Sequence, residues 1–159
     1  ALVTDPTELG KGRDVKESGE YSRLKLVRAW RVEHPHLWRR YVTEQHSICE
    51  QIRQRKLELK NPKIRRELWD ALKDLPQELQ KNANEVRLLH GTSPESVLAL
   101  LNNGLNERFS SVAMFGNGNY FAEDIGKTDQ YVVCDRSFCK AGGLHELHKQ
   151  LYSSQRHPE

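Results

Sequence analysis

The order of local signals along the chain predicts an α+β domain whose sheet is incomplete. Three observations carry this expectation: a loosely alternating run rich in β-branched and aromatic residues at 24–32, a short apolar run at 86–89, and an aromatic run at 119–122. Segments with helical periodicity separate them, so strands and helices alternate and strands are few. At 159 residues the chain is most simply one domain, large enough to bury a core without disulfide or metal staples.

Each element has its own justification. Residues 1–20 hold glycine and charge with little apolar content and read as an extended arm or linker, which leaves 21–159 as the folded domain. LKLVRAWRV (24–32) reads as a strand. HPHLWRRYVTEQHSICEQIRQRKLEL follows, with Pro35 suited to a first helical turn and Leu37, Tyr41, Ile48 and Ile52 forming an apolar stripe, which predicts a long helix. Asn61 and Pro62 resemble an N-cap and first-turn pair opening a second helix, with Ile64, Leu68 and Leu72 on one side and Pro76 as its stop. Val86–Leu89 is a short strand, HGTS its turn, and Ser93-Pro94-Glu95 the start of a helix that Gly104 ends. A polar loop spans 106–114, a glycine turn leads into the 119–122 strand, and a helix is expected near Ile125–Val133. Gly142 and Gly143 turn the chain into a last helix whose apolar face is Leu144, Leu147 and Leu151.

Composition excludes several classes. No apolar run approaches the roughly 20 residues of a membrane span, and the N-terminal stretch lacks a signal segment, so no membrane partner is expected. Charged residues make up 30% of the chain at net +3, yet apolar residues cluster periodically, which argues against disorder. Residues 1–89 are net +5 and residues 90–159 net −2. Acids interrupt the basic half, and solvated helix faces account for it better than a nucleic-acid surface; the basic 53–66 segment remains its candidate partner surface. Three scattered cysteines, Cys49, Cys134 and Cys139, fit a reducing compartment, cytoplasmic or nuclear. Cys134, Cys139, His145 and His148 offer two sulfurs and two nitrogens to zinc, but the spacing is loose and both histidines fall on the amphipathic last helix, so no metal is assigned.

FGNGNYFAE (115–123) superficially matches a dinucleotide-phosphate turn. Its third glycine would fall at position 121, which is Phe121, and an aromatic strand follows where a helix should open. The stretch fits a different pattern. NEVRLLHGTS, FGNGNYFAE and GKTDQYV, in this order, strongly resemble the strand-plus-HG segment, the FGxGxYFA segment and the SKSxxY helix of the poly(ADP-ribose) polymerase catalytic domain family. VRAWRVEHPHLWRRY also resembles that family's opening strand and first helix, so the likeness runs from about Leu24 to Tyr131. The branch it suggests is tankyrase-like or mono-ADP-ribosylating, without a regulatory helical domain.

The resemblance implies a split antiparallel or mixed sheet flanked by helices, of the ADP-ribosyltransferase kind, with its last strands missing. It implies NAD as co-substrate. His90 would bond a ribose hydroxyl, the Gly91 backbone would pair with the nicotinamide carboxamide, and a side chain at Gly91 would obstruct that approach. Thr92 would offer a hydroxyl to the ribose. Tyr131 would stack on the nicotinamide ring and Tyr120 would flank it, with Gly118, Phe121 and Ala122 lining the site. Thr128 stands where the family usually has a serine that donates to the carboxamide oxygen, and Lys127 would help shape the pocket. His90 and Tyr120 are the catalytic candidates. Asn119 departs from the apolar residue usual there.

The implied reaction, that of a pentosyltransferase, moves ADP-ribose from NAD to a protein or nucleic-acid acceptor and releases nicotinamide. Breaking the N-glycosidic bond builds oxocarbenium character on the ribose, which a nearby carboxylate favours. The family's late-strand glutamate has no counterpart here: 28 residues follow Tyr131, they read as loop and helix, and neither Glu146 nor Glu159 takes the role on spacing. The chain begins at Ala1 and its single methionine is Met114, so truncation is the expected reason. Two alternatives stay open: a non-catalytic NAD or ADP-ribose binding module, and a basic nucleic-acid or partner-binding domain.

Overall fold

The computed structural model of the chain describes residues 5–13, 16–60, 63–64, 68, 70, 72–75, 78–106, 108, 115–134 and 144–152. Their order is a 3-10 turn at Pro6–Glu8, helix α1 at Pro35–Gln54, a second 3-10 turn at Lys81–Ala83, then α2 (Pro94–Asn103), α3 (Ile125–Asp129) and α4 (His145–Tyr152). Their β pairing is one isolated antiparallel bridge, Leu89 to Ala122.

This overturns the expected α+β architecture: the described residues form no sheet, split or otherwise. The physical reason is visible at 24–32. That run is non-helical, as its composition predicts, but no described segment lies beside it to complete a ladder, and Leu26 and Val27 are 81% and 61% exposed. Strand preference is a preference for a pleated, half-buried neighbour, and without one it yields an isolated length of chain. The run is tethered by side chains instead. Trp30 meets Tyr152 of α4 edge to face at 5.3 Å, and the Arg28 guanidinium lies 5.8 and 5.7 Å from the two ring centres.

Helix α1 begins where His34 leaves extended backbone and Pro35 supplies the first helical φ. His34 Nδ1 accepts from the Leu37 N–H at 3.3 Å, so Nε2 carries the proton and donates to the Asn102 carbonyl at 3.2 Å. One imidazole thus serves an orphan donor at the start of α1 and an orphan acceptor at the end of α2. Gly104 closes α2 at φ +74, and a methyl there would sit 3.3 Å from Leu37 Cδ2. The half-buried face of α1 runs through Leu37, Val42, Gln45, Cys49 and Ile52, whereas Tyr41 and Ile48, expected on the apolar stripe, are exposed. Gln45 donates to Glu85 at 3.0 Å and fastens α1 to the chain after the second 3-10 turn.

Asn61 and Pro62 lie outside the described residues, as do parts of the basic 53–66 segment and of the 106–114 loop, and the 142–143 turn. Leu68, 1% exposed, packs with Ile64, Leu72 and Leu79, and Arg87 donates to the Leu72 and Leu75 carbonyls at 3.0 and 3.4 Å. Leu144, just before α4, and Leu147 on it are buried, and α4 packs against α2. No described helix is long and apolar enough to cross a membrane.

The first 20 residues, expected as an extended arm, contain the Pro6–Glu8 turn, capped by the Asp5 carboxylate, and bury Leu9 to 1% exposure. The turn packs on α3. Removing the Leu9 side chain by Leu9→Ala is expected to cost about 2–5 kcal/mol, read as a lower urea midpoint with an unchanged slope.

Candidate active site

The site is built on one reciprocal pair. Leu89 N–H donates to the Ala122 carbonyl and Ala122 N–H to the Leu89 carbonyl, both at 2.8 Å. In antiparallel register this sets His90 opposite Phe121, and their rings stand 5.5 Å apart. His90 Nδ1 lies 2.8 Å from the Tyr120 carbonyl, which can only accept, so Nδ1 carries a proton. In the neutral ring, Nε2 is then an acceptor on an exposed side chain.

Helix α3 closes over the same junction. Asp124 caps it, its carboxylate accepting from the Gly126 N–H at 2.7 Å. The helix is shorter than the predicted reach to Val133: it ends at Asp129, and the Tyr131 N–H turns back to the Thr128 carbonyl at 3.0 Å. A methyl built on Gly91 would run into that Thr128 carbonyl. Glycine is therefore demanded at 91 by the close approach of α3 before any ligand is considered.

The remaining sequence candidates divide into those the geometry draws together and those it holds apart. Phe121, Ala122 and Lys127, with Leu88, Glu123 and Asp124, line a cleft of about 420 Å³. Sequence reasoning missed the last three, although Leu88 stands two before His90 and Glu123-Asp124 directly follow the motif. The Thr128 hydroxyl donates to the Ile125 carbonyl at 2.9 Å, which leaves an oxygen lone pair rather than a proton for a ligand. Thr92 and Gly118 are half-buried, and a Cβ at Gly118 would meet nothing within 4 Å.

The two tyrosines have different surroundings. Tyr120 folds back on its own turn: its hydroxyl donates to the Gly116 carbonyl at 2.6 Å and accepts from the Phe115 N–H at 3.2 Å. Gly116 sits at φ +95, which only glycine adopts without strain. Tyr131 is 48% exposed, and the Lys127 ammonium lies 5.4 Å from its ring centre while donating to Gln130 at 3.0 Å. Among the described residues the two rings do not pair with one another.

The model of the poly(ADP-ribose) polymerase catalytic domain matches residues 11–140. The chain belongs to that family. Membership implies, in general terms, NAD-dependent ADP-ribosyltransferase activity. The match covers the three motif segments and also the stretch from Lys11 to Tyr21, where the motifs alone had shown nothing. Among the described residues no three metal-ligating side chains cluster, and Cys139 lies outside them.

One contact had no sequence signal. Asp129, 5% exposed, accepts from the Gly10 N–H at 2.8 Å and from the Tyr21 hydroxyl at 2.9 and 3.0 Å. Burial, the bond to Asp129 and the charge of that carboxylate push the Tyr21 phenol from 10.0 up to about 12.

Two outcomes follow for the folded domain. Gly91→Ala is expected to lose at least about 1–3 kcal/mol of stability by forcing α3 off the junction, measured by denaturant unfolding. The Tyr21 contribution to stability is complete below the unfolded phenol value and declines as pH rises from about 10 through 12, because the unfolded chain releases that proton first. Urea midpoints of the wild type and Tyr21→Phe should therefore converge across that window, and parallel curves would contradict the assignment.

Proposed function

We propose that the domain binds NAD at the junction of His90-Gly91, Tyr120–Ala122 and α3, releases nicotinamide, and transfers ADP-ribose to a protein or nucleic-acid acceptor. The observation that supports this reading is the Leu89–Ala122 pair, which puts His90 on the carbonyl of Tyr120 while Gly91 packs against Thr128. Three sequence segments with separate resemblances thereby meet at one place.

The chemistry of each group follows from its bonds. His90, with Nδ1 committed to Tyr120, offers Nε2 to a hydroxyl of the nicotinamide ribose and fixes the sugar. Nicotinamide within NAD is a cation, and the exposed face of Tyr131 attracts it by about 0.5–2 kcal/mol beyond ordinary stacking. Tyr120, held by its own turn, flanks the ring without losing hydroxyl freedom on binding. Thr128 accepts from the carboxamide N–H rather than donating to its oxygen. Heterolysis of the bond between ribose C1′ and nicotinamide leaves the electron pair on the departing ring, which becomes neutral, and positive charge on the sugar. Stacking weakens as that happens, so Tyr131 binds and orients, and rate acceleration comes from groups that hold the oxocarbenium-like sugar.

The test uses the chain with labelled NAD, following nicotinamide release and label transfer. Tyr131→Ala is expected to weaken NAD binding about 5- to 30-fold by calorimetry and to abolish labelling. Full labelling by that variant would sink the reading. NAD binding with nicotinamide release at the blank level would convert it to a binding module.

A further inference from the structure

Residues 8–10 and 20–21 meet at a single carboxylate. The Glu20 N–H donates to the Gly10 carbonyl at 3.1 Å, and the Gly10 N–H and Tyr21 hydroxyl both converge on Asp129. The fit is tight: a methyl on Gly10 would lie 2.6 and 2.7 Å from the Glu20 and Tyr21 nitrogens, and one on Gly126 would stand 3.0 Å from Glu8 Cβ. These residues therefore grip α3 at Gly126 and at Asp129, two residues before and one after Thr128.

A helix of five residues does not hold its own conformation in water. What positions α3 must come from outside it, and two contacts do so: Gly91 against the Thr128 carbonyl, and Gly10 with Tyr21 on Asp129. A buried carboxylate is costly without donors, so its two donors, the Gly10 N–H and the Tyr21 hydroxyl, fasten the N-terminal residues to the helix in one arrangement. Lys127, Thr128 and Tyr131 are carried by this helix and the turn that ends it.

We propose that Asp129 is a positioning residue: it latches Gly10 and Tyr21 onto α3 and thereby sets where Tyr131, Lys127 and Thr128 stand to receive nicotinamide. The second half of this inference rests on the reading of α3 as the nicotinamide-contacting helix. Asp129 touches no substrate in this role and acts through its neighbours.

The experiment compares the chain with Tyr21→Phe and Asp129→Asn, and with Leu147→Ala, a buried α4 change remote from the latch that supplies a general loss of stability. Amide exchange at Thr128 and Tyr131 reads the latch without NAD, and calorimetry with NAD reads its consequence. Tyr21→Phe is expected to speed exchange at both amides and to weaken NAD binding, each by about fivefold or more. Asp129→Asn keeps one carbonyl acceptor and should fall between it and the wild type. Leu147→Ala, compared well below its own unfolding midpoint, should bind NAD as the wild type does.

Unchanged exchange in Tyr21→Phe overturns the latch, whatever NAD does. An equal loss of NAD affinity in Leu147→Ala overturns the positioning role and leaves only a stability effect. If the wild type itself binds no NAD, the proposed function fails, and the exchange comparison still decides whether Gly10 and Tyr21 hold α3.

Discussion

Two hydrogen bonds of 2.8 Å between Leu89 and Ala122 hold together everything that the candidate site requires. Each contributes only about 0.5–1.5 kcal/mol net, so the pair alone would not keep distant pieces of chain in register. It persists because its flanks are packed: His90 bonds to Tyr120 on one side, and α3 lies on Gly91 on the other. A bridge one residue long is thereby made into a fixed corner. From that corner the exposed His90 ring, the Phe121 ring and the cleft lined by Ala122 and Lys127 all take their positions.

The supports of this corner are helical ends and buried polar groups rather than a sheet. His34 joins the start of α1 to the end of α2 through its two nitrogens, and Arg87 secures the chain ahead of His90 to the carbonyls of Leu72 and Leu75. Asp129 does the same between the N-terminal residues and α3. In each case one multivalent side chain satisfies orphan backbone groups on an element distant in sequence, which is how short elements are held without an extensive ladder.

The same economy appears in the aromatic residues. Tyr120 uses its hydroxyl internally and presents its ring, so the residue is preorganised at the cost of a glycine in the left-handed region at Gly116. Tyr131 has the opposite design: it lies just past the end of α3, half-exposed, with a lysine near its face. On the proposed reading, a cationic ligand ring would meet one side chain already set and another set by whatever orients α3.

The motif residues were legible in the sequence because their chemistry is local. An apolar run before His90-Gly91, a glycine turn before Tyr120, and a short helix carrying Thr128 each announce themselves within a few residues, and family membership follows from their order. The two main helix starts were legible too, at Pro35 and Pro94, since caps and prolines act over one turn. The sheet was misread, because the composition of 24–32 states a preference while pairing needs a neighbour the sequence does not name. Equally invisible were the contacts on Asp129, the Leu88-Glu123-Asp124 side of the cleft, and the Thr128 carbonyl packed against Gly91. All three depend on atoms brought together from about 35 to more than 100 residues apart, and only the folded chain decides which backbone carbonyl occupies the space a side chain would have filled.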